Sequence, residues 1–485
     1  MPRLTIPFAG PRQEDRAFAV NAQRAINWYP TVEGDGAKAI LTMKPTPGKT
    51  LRVTAGNGPI RSNIVTFQDR AVFVSGGQLL AVDTSWAVTS LGALNTTSGW
   101  CSIAAGRTYV VAVDGGDFYA FGVSPFTWGT GVFSIVTDSG DANYDADCPT
   151  SPSHVAYLDG YFIVNNAGSD GFNLSGNENP LTWDALDVGS AESDPDDVLA
   201  IATTRRDLYV HGEKTTEVYY NSGNADFPFD LYANGVLGLG IHAPHSVATD
   251  GNRIYMLAVT DKSSPFPVFL QGFQAQKISD PDIAYTLSQM TTTSDALGMV
   301  YTQADETFYE LTFPTEDLTL VYHVEQDQWH ERQSGSVERH RVQGHGYFNG
   351  MHLVGDYISG KVYSLDPAVY TEDGATIKRK RVAQILHRDG RQIEVNCLEV
   401  EMKRGVGLVS GQGSDPQVML RYSIDGGHEW SIELWRGFGA QGDYDAKCVW
   451  NRLGTADSFL FELTESDPVD AQIINAYADV EVLGP

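Results

Sequence analysis

The stretch Ile201 to Tyr220, IATTRRDLYVHGEKTTEVYY, decides the fold. Arg206-Asp207 is a polar turn and Leu208-Tyr209-Val210 a β-branched and aromatic run. His211-Gly212-Glu213-Lys214 then turns the chain again into Thr216-Glu217-Val218-Tyr219. Polar turns bounding short runs rich in Val, Tyr and Thr are the signature of a β-hairpin. The same phrase recurs at Asp69-Arg70 with AVFV, Gly106-Arg107 with TYVV, Asp159-Gly160 with YFIV, Asn252-Arg253 with IYML, Asp305-Glu306 with TFYEL and Asn349-Gly350 with MHLV. The phrases start at positions 69, 106, 159, 206, 252, 305 and 349, which are 37 to 53 residues apart. A loose period with four strands' worth of pattern per unit predicts an all-β chain built on a β-propeller. Six or seven blades fit, and seven phrases favour seven. A run of unrelated hairpins forming a β-sandwich stays open, because the period wanders and no copy carries a marked repeat-family signature.

At 485 residues the chain is too long for one ordinary core. Its 49 glycines fit a fold that turns every ten residues or so. A formal charge of −28 gives a strongly acidic surface, which favours solubility and disfavours gripping nucleic acid through its phosphates. The longest apolar run, Ile254 to Val259, is far short of the roughly 20 residues that span a bilayer. The start, MPRLTIPFAG, lacks the basic and apolar pattern of a secretory signal, so the product is expected to stay where it is made. Cys101, Cys148, Cys397 and Cys448 are too few and too far apart for a disulfide framework or a zinc site and read as free thiols.

Three domains are expected. Residues 1–54 read as an extended amino-terminal arm, broken by Pro30, Pro45 and Pro47, that pairs with a blade or reaches another subunit. Residues 55–370 form the propeller. Residues 371–485 form a carboxy-terminal β-sandwich of short alternating strands. Asp280-Pro281, followed by Ile283, Ala284, Leu287 and Met290, predicts one short helix with Asp as N-cap and Pro at its first position. The run Lys378-Arg379-Lys380-Arg381 is the only dense basic stretch. It reads as the solvated face of a linker strand, or as an inter-subunit contact onto an adjoining acidic copy.

Ser423, Asp425, Gly427 and Trp430 match the Asp-box pattern, S-x-D-x-G-x-x-W. Physically this is a turn: the Asp accepts from turn amides, glycine supplies positive φ, and the Trp plugs the hairpin base. His242 and His245, His330-Glu331, and His340 with His345 lack zincin spacing, and Asp194-Pro195-Asp196-Asp197 lacks the order of a calcium loop and reads as loop surface. There is no P-loop, dinucleotide fingerprint, GxSxG elbow or Cys-His nucleophile pair. The residues offer no catalytic site, no metal site and no cofactor site.

Strings along nearly the whole chain carry a likeness to a known family. They are INWYP at Ile26 to Pro30, TPG at Thr46 to Gly48, FYELTFP at Phe308 to Pro314, Val321-Tyr322, and Gln328-Trp329-His330-Glu331. They continue with VGDYISGKVYSLD at Val354 to Asp366, RGVGL at Arg404 to Leu408, LRYSIDGGHEWS at Leu420 to Ser431, WNRLG at Trp450 to Gly454 and ESDPV at Glu465 to Val469. In this order they resemble the tail hub, or tail nozzle, proteins of short-tailed bacteriophages, also called packaged-DNA stabilisation proteins. The resemblance implies a structural virion protein of the phage tail, made in the host cytoplasm. It also implies a hexameric ring lining the DNA exit channel, helping retain packaged DNA, and joining the portal-adaptor ring to fibre, spike or needle proteins. DNA would pass without sequence-specific binding. The rival reading is a propeller-type glycan-binding or glycoside hydrolase protein, motivated by the Asp-box and 52 aromatic residues. Convergent carboxylates and aromatics in one pocket would separate the two.

Overall fold

The computed structural model describes residues 3–14, 22–34, 37–123, 128–191, 196–225 and 227–483. Each of the seven repeated phrases is the second strand of its own antiparallel sheet. These strands are Arg70–Ser75, Tyr109–Val113, Tyr161–Asn165, Asp207–Gly212, Ile254–Val259, Glu306–Phe313 and Met351–Asp356. Within the first four sheets all four strands pair in chain order, as short hairpins require. The turns Asp159-Gly160, Ala304-Asp305 and Asn349-Gly350 have positive φ at both residues, the backbone twist that suits a two-residue hairpin.

These second strands are buried without alternation: Ala71 to Val74 and Ile254 to Ala258 are all 0% exposed. A sheet covered on both faces reads this way. Apolar clusters fill the spaces between successive sheets. Val72 and Val74 of the first meet Val110 and Ala112 of the second, and so on round to Leu353 and Val362 of the seventh, which meet Ala71 and Phe73 of the first. The last cluster closes the ring.

The amino-terminal residues take the first of the two courses expected of them, pairing with a blade, and they also add strands to the sandwich. Gly48–Thr54 pairs antiparallel with Lys361–Asp366 and completes the seventh sheet. Arg3–Thr5 pairs with Ile473–Val482. The hairpin Trp28–Val32 with Leu41–Pro45 joins the same sandwich sheet, which also holds Ile393–Met402 and Cys448–Ala456. Pro30 does not break its strand because Trp28–Val32 lies at the sheet edge, where a missing N–H costs no ladder bond, and Pro45 is the last residue of Leu41–Pro45.

The second sandwich sheet holds Arg379–Val382, Ser458–Glu465, Gln417–Ser423 and Leu434–Gly437. It is continuous with the sixth propeller sheet. Ala25–Ile26 pairs in parallel with Gln328–Glu331 on one side and antiparallel with Arg379–Val382 on the other. Between the two sandwich sheets lies a core that includes Trp28, Met43, Leu398, Trp450, Phe459 and Phe461.

The helix runs Pro281–Gln289, and the Asp280 carboxylate accepts the Ile283 N–H at 2.8 Å. Its buried face is narrower than the sequence suggests: Ile283 and Leu287 pack inward, whereas Ala284 is exposed. Among the described residues, no helix is long and apolar enough to cross a membrane.

Candidate functional site: the charged junction and the Asp-box turn

The basic run lies on the strand that joins the sandwich to the propeller, and strand alternation splits it. Arg379 and Arg381 point inward and are 0% exposed, Lys378 is exposed, and Lys380 lies 3.3 Å from Glu462. The expectation of a solvated face or an inter-subunit patch therefore fails for the two arginines, because the strand is flanked on both sides by others of the same sheet. Arg379 donates to Glu465 at 2.7 Å, and both side chains are 0% exposed. Burial pushes the Glu465 carboxyl up to about 7 even though Arg379 pulls it down.

Arg381 is held by oxygens alone: Phe8 O at 2.6 Å, Pro11 O at 3.0 Å, Gln23 Oε1 at 2.8 Å and Arg24 O at 3.4 Å. Burial lowers its pKa to about 9. Gly10 packs close by, and a Cβ there would sit 3.1 Å from the guanidinium, so the cage would have to give by a few tenths of an ångström. The cage fastens the amino-terminal segment to the sandwich. The same segment is fastened to the propeller by Arg12, which donates to Glu331 at 2.8 Å and pairs with Asp282, and by Arg24, 2.7 Å from Glu331. Burial alone would raise the Glu331 carboxyl, but Arg24 and Arg12 outweigh it and hold the group below its usual range.

A second buried cluster locks the closing strand. His340 Nδ1 lies 2.7 Å from Glu310, Lys49 lies 3.1 Å from Glu372, and Arg332 donates to Pro47 O at 2.8 Å. Burial raises the Glu310 carboxyl to about 7 against the pull of Arg332, Lys49 and Arg339. Sequence reasoning missed Glu310, Glu331, Arg332 and Lys49 as a group. The available signal was a lone charge inside an apolar strand, as in FYELTFP and QWHE.

The Asp-box residues form the turn their chemistry calls for. Asp425 accepts from His428 N and Glu429 N at 3.0 Å and from the Ser423 hydroxyl at 2.6 Å, and Ser423 Oγ accepts from Gly427 N. Gly426 and Gly427 have φ of 76° and 97°. Trp430 is only half-buried, against Val382 and Leu460, with the Arg421 guanidinium 5.4 Å from its ring centroid. The carboxylate is wholly engaged by its own turn.

Other candidate groups are dispersed. Asp194 and Pro195 lie outside the described residues. Asp196 is not loop surface: it is 6% exposed and accepts from Lys214 N and Thr215 N. Several propeller histidines meet in pairs, His154 stacked on His245, His345 on His352, and His323 with His330 against Tyr29 and Phe308, whereas His387 and His428 are exposed on the sandwich. His330 and His340 are fully buried, and His242 Nε2 lies 2.8 Å from Thr293 Oγ1. Among the described residues, no group of three His, Cys, Asp or Glu is placed to hold a metal. The four cysteines are free. Cys397 and Cys448 lie on neighbouring strands but three residues out of register, opposite Asn451 and Val400 respectively.

No curated protein sequence matches the chain. Among solved structures, it is similar to the N-terminal domain of Nup159, at 9% identity and a TM-score of 0.40, over 69% of this chain and 97% of that one. The Myceliophteria thermophila Cps50 (Swd1) β-propeller domain shows 10% identity and a TM-score of 0.40, over 65% and 99%. The Neurospora crassa Pan2 WD40 domain shows 8% and 0.39, over 64% and 89%. Two family models match in series: bacteriophage P22 Gp10 β-propeller over residues 5–370 and bacteriophage P22 Gp10 β-sandwich over residues 378–481. A propeller closed by its own amino-terminal strand and continued by one sheet into a sandwich, matched end to end by these two models, belongs to the bacteriophage P22 Gp10 family of phage structural proteins.

Proposed function

We propose that this chain is the hub, or nozzle, of a short-tailed phage tail. Six copies form a ring around an axial channel that helps retain packaged DNA and lets it leave. The ring sits beneath the portal adaptor and carries fibre, spike or needle proteins, and the channel wall is mostly acidic. The observation that carries this reading is the ordered match of propeller and sandwich models over one chain. Charge supports the sliding surface: a −28 chain offers carboxylates that repel phosphates, whereas a basic wall would hold DNA by releasing its counterions. The proposed role is structural, not enzymatic.

The test is a phage genome lacking this gene, complemented or not with the chain supplied in the host. Particles made without it should lose packaged DNA and infectivity, and the supplied chain should restore both. Image averages of purified tails should show sixfold density at its position. Infectious, DNA-filled particles without the chain would overturn the proposal, and a channel lined by Lys and Arg would overturn the sliding surface.

A further inference from the structure

Two surface features on opposite domains match each other in shape and charge. The first is a knob on the outer strand of the third sheet, Asn179–Ser190. The strand pairs through Trp183 opposite Ser175 and through Val188 opposite Asn173, so residues 184–187 bulge out of the ladder. At the tip Leu186 is 83% exposed, among the most exposed large apolar side chains of the protein. The Asp184 carboxylate accepts the Leu186 N–H at 2.9 Å and braces the bulge. Asp184 and Asp187 flank the leucine, and no cation pairs with either among the described residues. Partial burial, with like-charge crowding by Asp184 added to it, raises the Asp187 carboxyl above its usual range. An exposed leucine between two uncompensated carboxylates fits a socket that sets apolar side chains beside a cation.

The second feature is such a socket. A cavity of about 210 Å³ opens on the sandwich where Leu4 and Ile6 of the amino-terminal segment face Ile385 and Leu386, and His387 and Arg388 stand at its rim. Arg388 and Arg391 bridge a tight turn over Asp389 and Gly390, both arginines are exposed with no ion pair among the described residues, and the turn carries two cations to one carboxylate. The socket thus offers the half-buried Leu4, Ile385 and Leu386 among polar groups, with the Arg388 cation beside them, and its volume accommodates one leucine side chain.

Knob and socket lie on different domains of a chain whose domains are joined by one sheet. We infer that the Asp184–Asp187 knob of one copy docks, through Leu186, into the Leu4–Ile385–Arg388 socket of a second copy of this chain. This contact rests on the proposed ring. Two unlike patches that complement each other make a head-to-tail interface, which closes into a ring when the rotation allows.

The experiment uses the full-length chain and measures its assembly by light scattering across a concentration series. Leu186→Asp and Arg388→Glu each alter an exposed side chain, so both variants should melt like the parent yet associate at least tenfold more weakly. Asp187→Arg alone and Arg388→Glu alone should both fail, whereas an equimolar mixture of the two should assemble. In the mixture the charge-reversed knob of the first variant meets the charge-reversed socket of the second. The unaltered knob of the second likewise meets the unaltered socket of the first. A structural defect would not be repaired by mixing. If the parent forms rings and these substitutions leave them unchanged, the contact is wrong and the ring reading stands. If the variants fail and mixing does not restore assembly, the socket takes a different partner and the inference falls. If the parent stays monomeric at every concentration, the ring reading falls, and the contact with it.

Discussion

Arg379→Met tests whether the junction depends on its buried ion pair. Both Arg379 and Glu465 are 0% exposed, and the substitution removes a 2.7 Å charge-assisted bond along with the donors to Asp467 O and Tyr370 O. Glu465 would keep only the Asp467 N–H. Removing one partner of a buried pair costs about 3 to 5 kcal/mol. The loss should depend on pH, and its sign follows from the carboxyl. Burial already pushes Glu465 up to about 7, and without the arginine it rises further. A carboxyl raised above its unfolded value stabilises at low pH, and that contribution is lost as pH rises through the folded value. The variant should therefore lose more stability at pH 8 than at pH 6, where the stranded group holds a proton. Arg379→Met with Glu465→Leu should recover most of the loss, because an apolar pair carries no desolvation cost. Urea unfolding of parent, single and double variants, followed by tryptophan emission at both pH values, measures this. A single variant within about 1 kcal/mol of the parent at pH 8, or a double variant no better than the single, would refute the reasoning.

Acid should loosen the propeller. Burial lowers His211 and His345 to about 3 and His245 to about 4, so their stabilising contribution is complete above pH 6.5 and lost as pH falls toward those values. At pH 5 each costs about 2 kcal/mol relative to pH 7.5. Glu310, raised to about 7, works the other way but is outnumbered; an unchanged urea midpoint at pH 5 would contradict this. Gly298→Ala and Gly346→Ala should each destabilise the ring by about 1 to 3 kcal/mol or more, since a Cβ would lie 1.9 Å from Ser246 O and Ile64 O of the neighbouring sheets; thermal melting checks it. Asp425→Ala should raise amide exchange at residues 426–430 by freeing the His428 and Glu429 N–H groups, and unaltered exchange there would show that the turn does not need its carboxylate.

The propeller was legible because its second strands are buried on both faces and so repeat as uninterrupted apolar phrases. AVFV, YFIV and IYML each fall inside one such strand. The helix start was legible because N-capping is a local rule. The share of the amino-terminal segment in the sandwich was not legible, because its strands are two to seven residues long and their partners lie as far off as Ile473–Val482. Local pattern cannot register such partners. Lys378 to Arg381 was misread for a related reason: composition marks a basic run, but only the sheet reveals that alternate members face Glu465 and the oxygens around Arg381. The Asp-box was legible as a turn, yet its tryptophan is less buried than a hairpin plug implies, because the turn leads into the edge strand Leu434–Gly437 and the ring rests on a small cluster of Val382 and Leu460.

The distribution of charge bears on how copies could associate. Among the described residues, seven of the chain's 33 Lys and Arg are buried, namely Arg12, Lys49, Arg61, Arg332, Arg339, Arg379 and Arg381. Nine of the described Asp and Glu are buried as well, several of them as partners of these cations, so burial leaves the surface nearly as acidic as the composition makes it. Two such surfaces repel over a range set by salt, about 30 Å at 0.01 M and about 8 Å at 0.15 M. The knob-to-socket attraction acts at contact distance in a partly buried groove, where screening is weaker. Raising salt from 0.01 to 0.15 M should therefore remove more repulsion than attraction and strengthen assembly of the full chain. The Asp187→Arg and Arg388→Glu variants, which set like charges face to face at the same contact, should gain more from added salt than the parent. Assembly that weakens steadily across this range would mean that ion pairs dominate the interface, and the balance drawn here between a repelling surface and one local contact would be wrong.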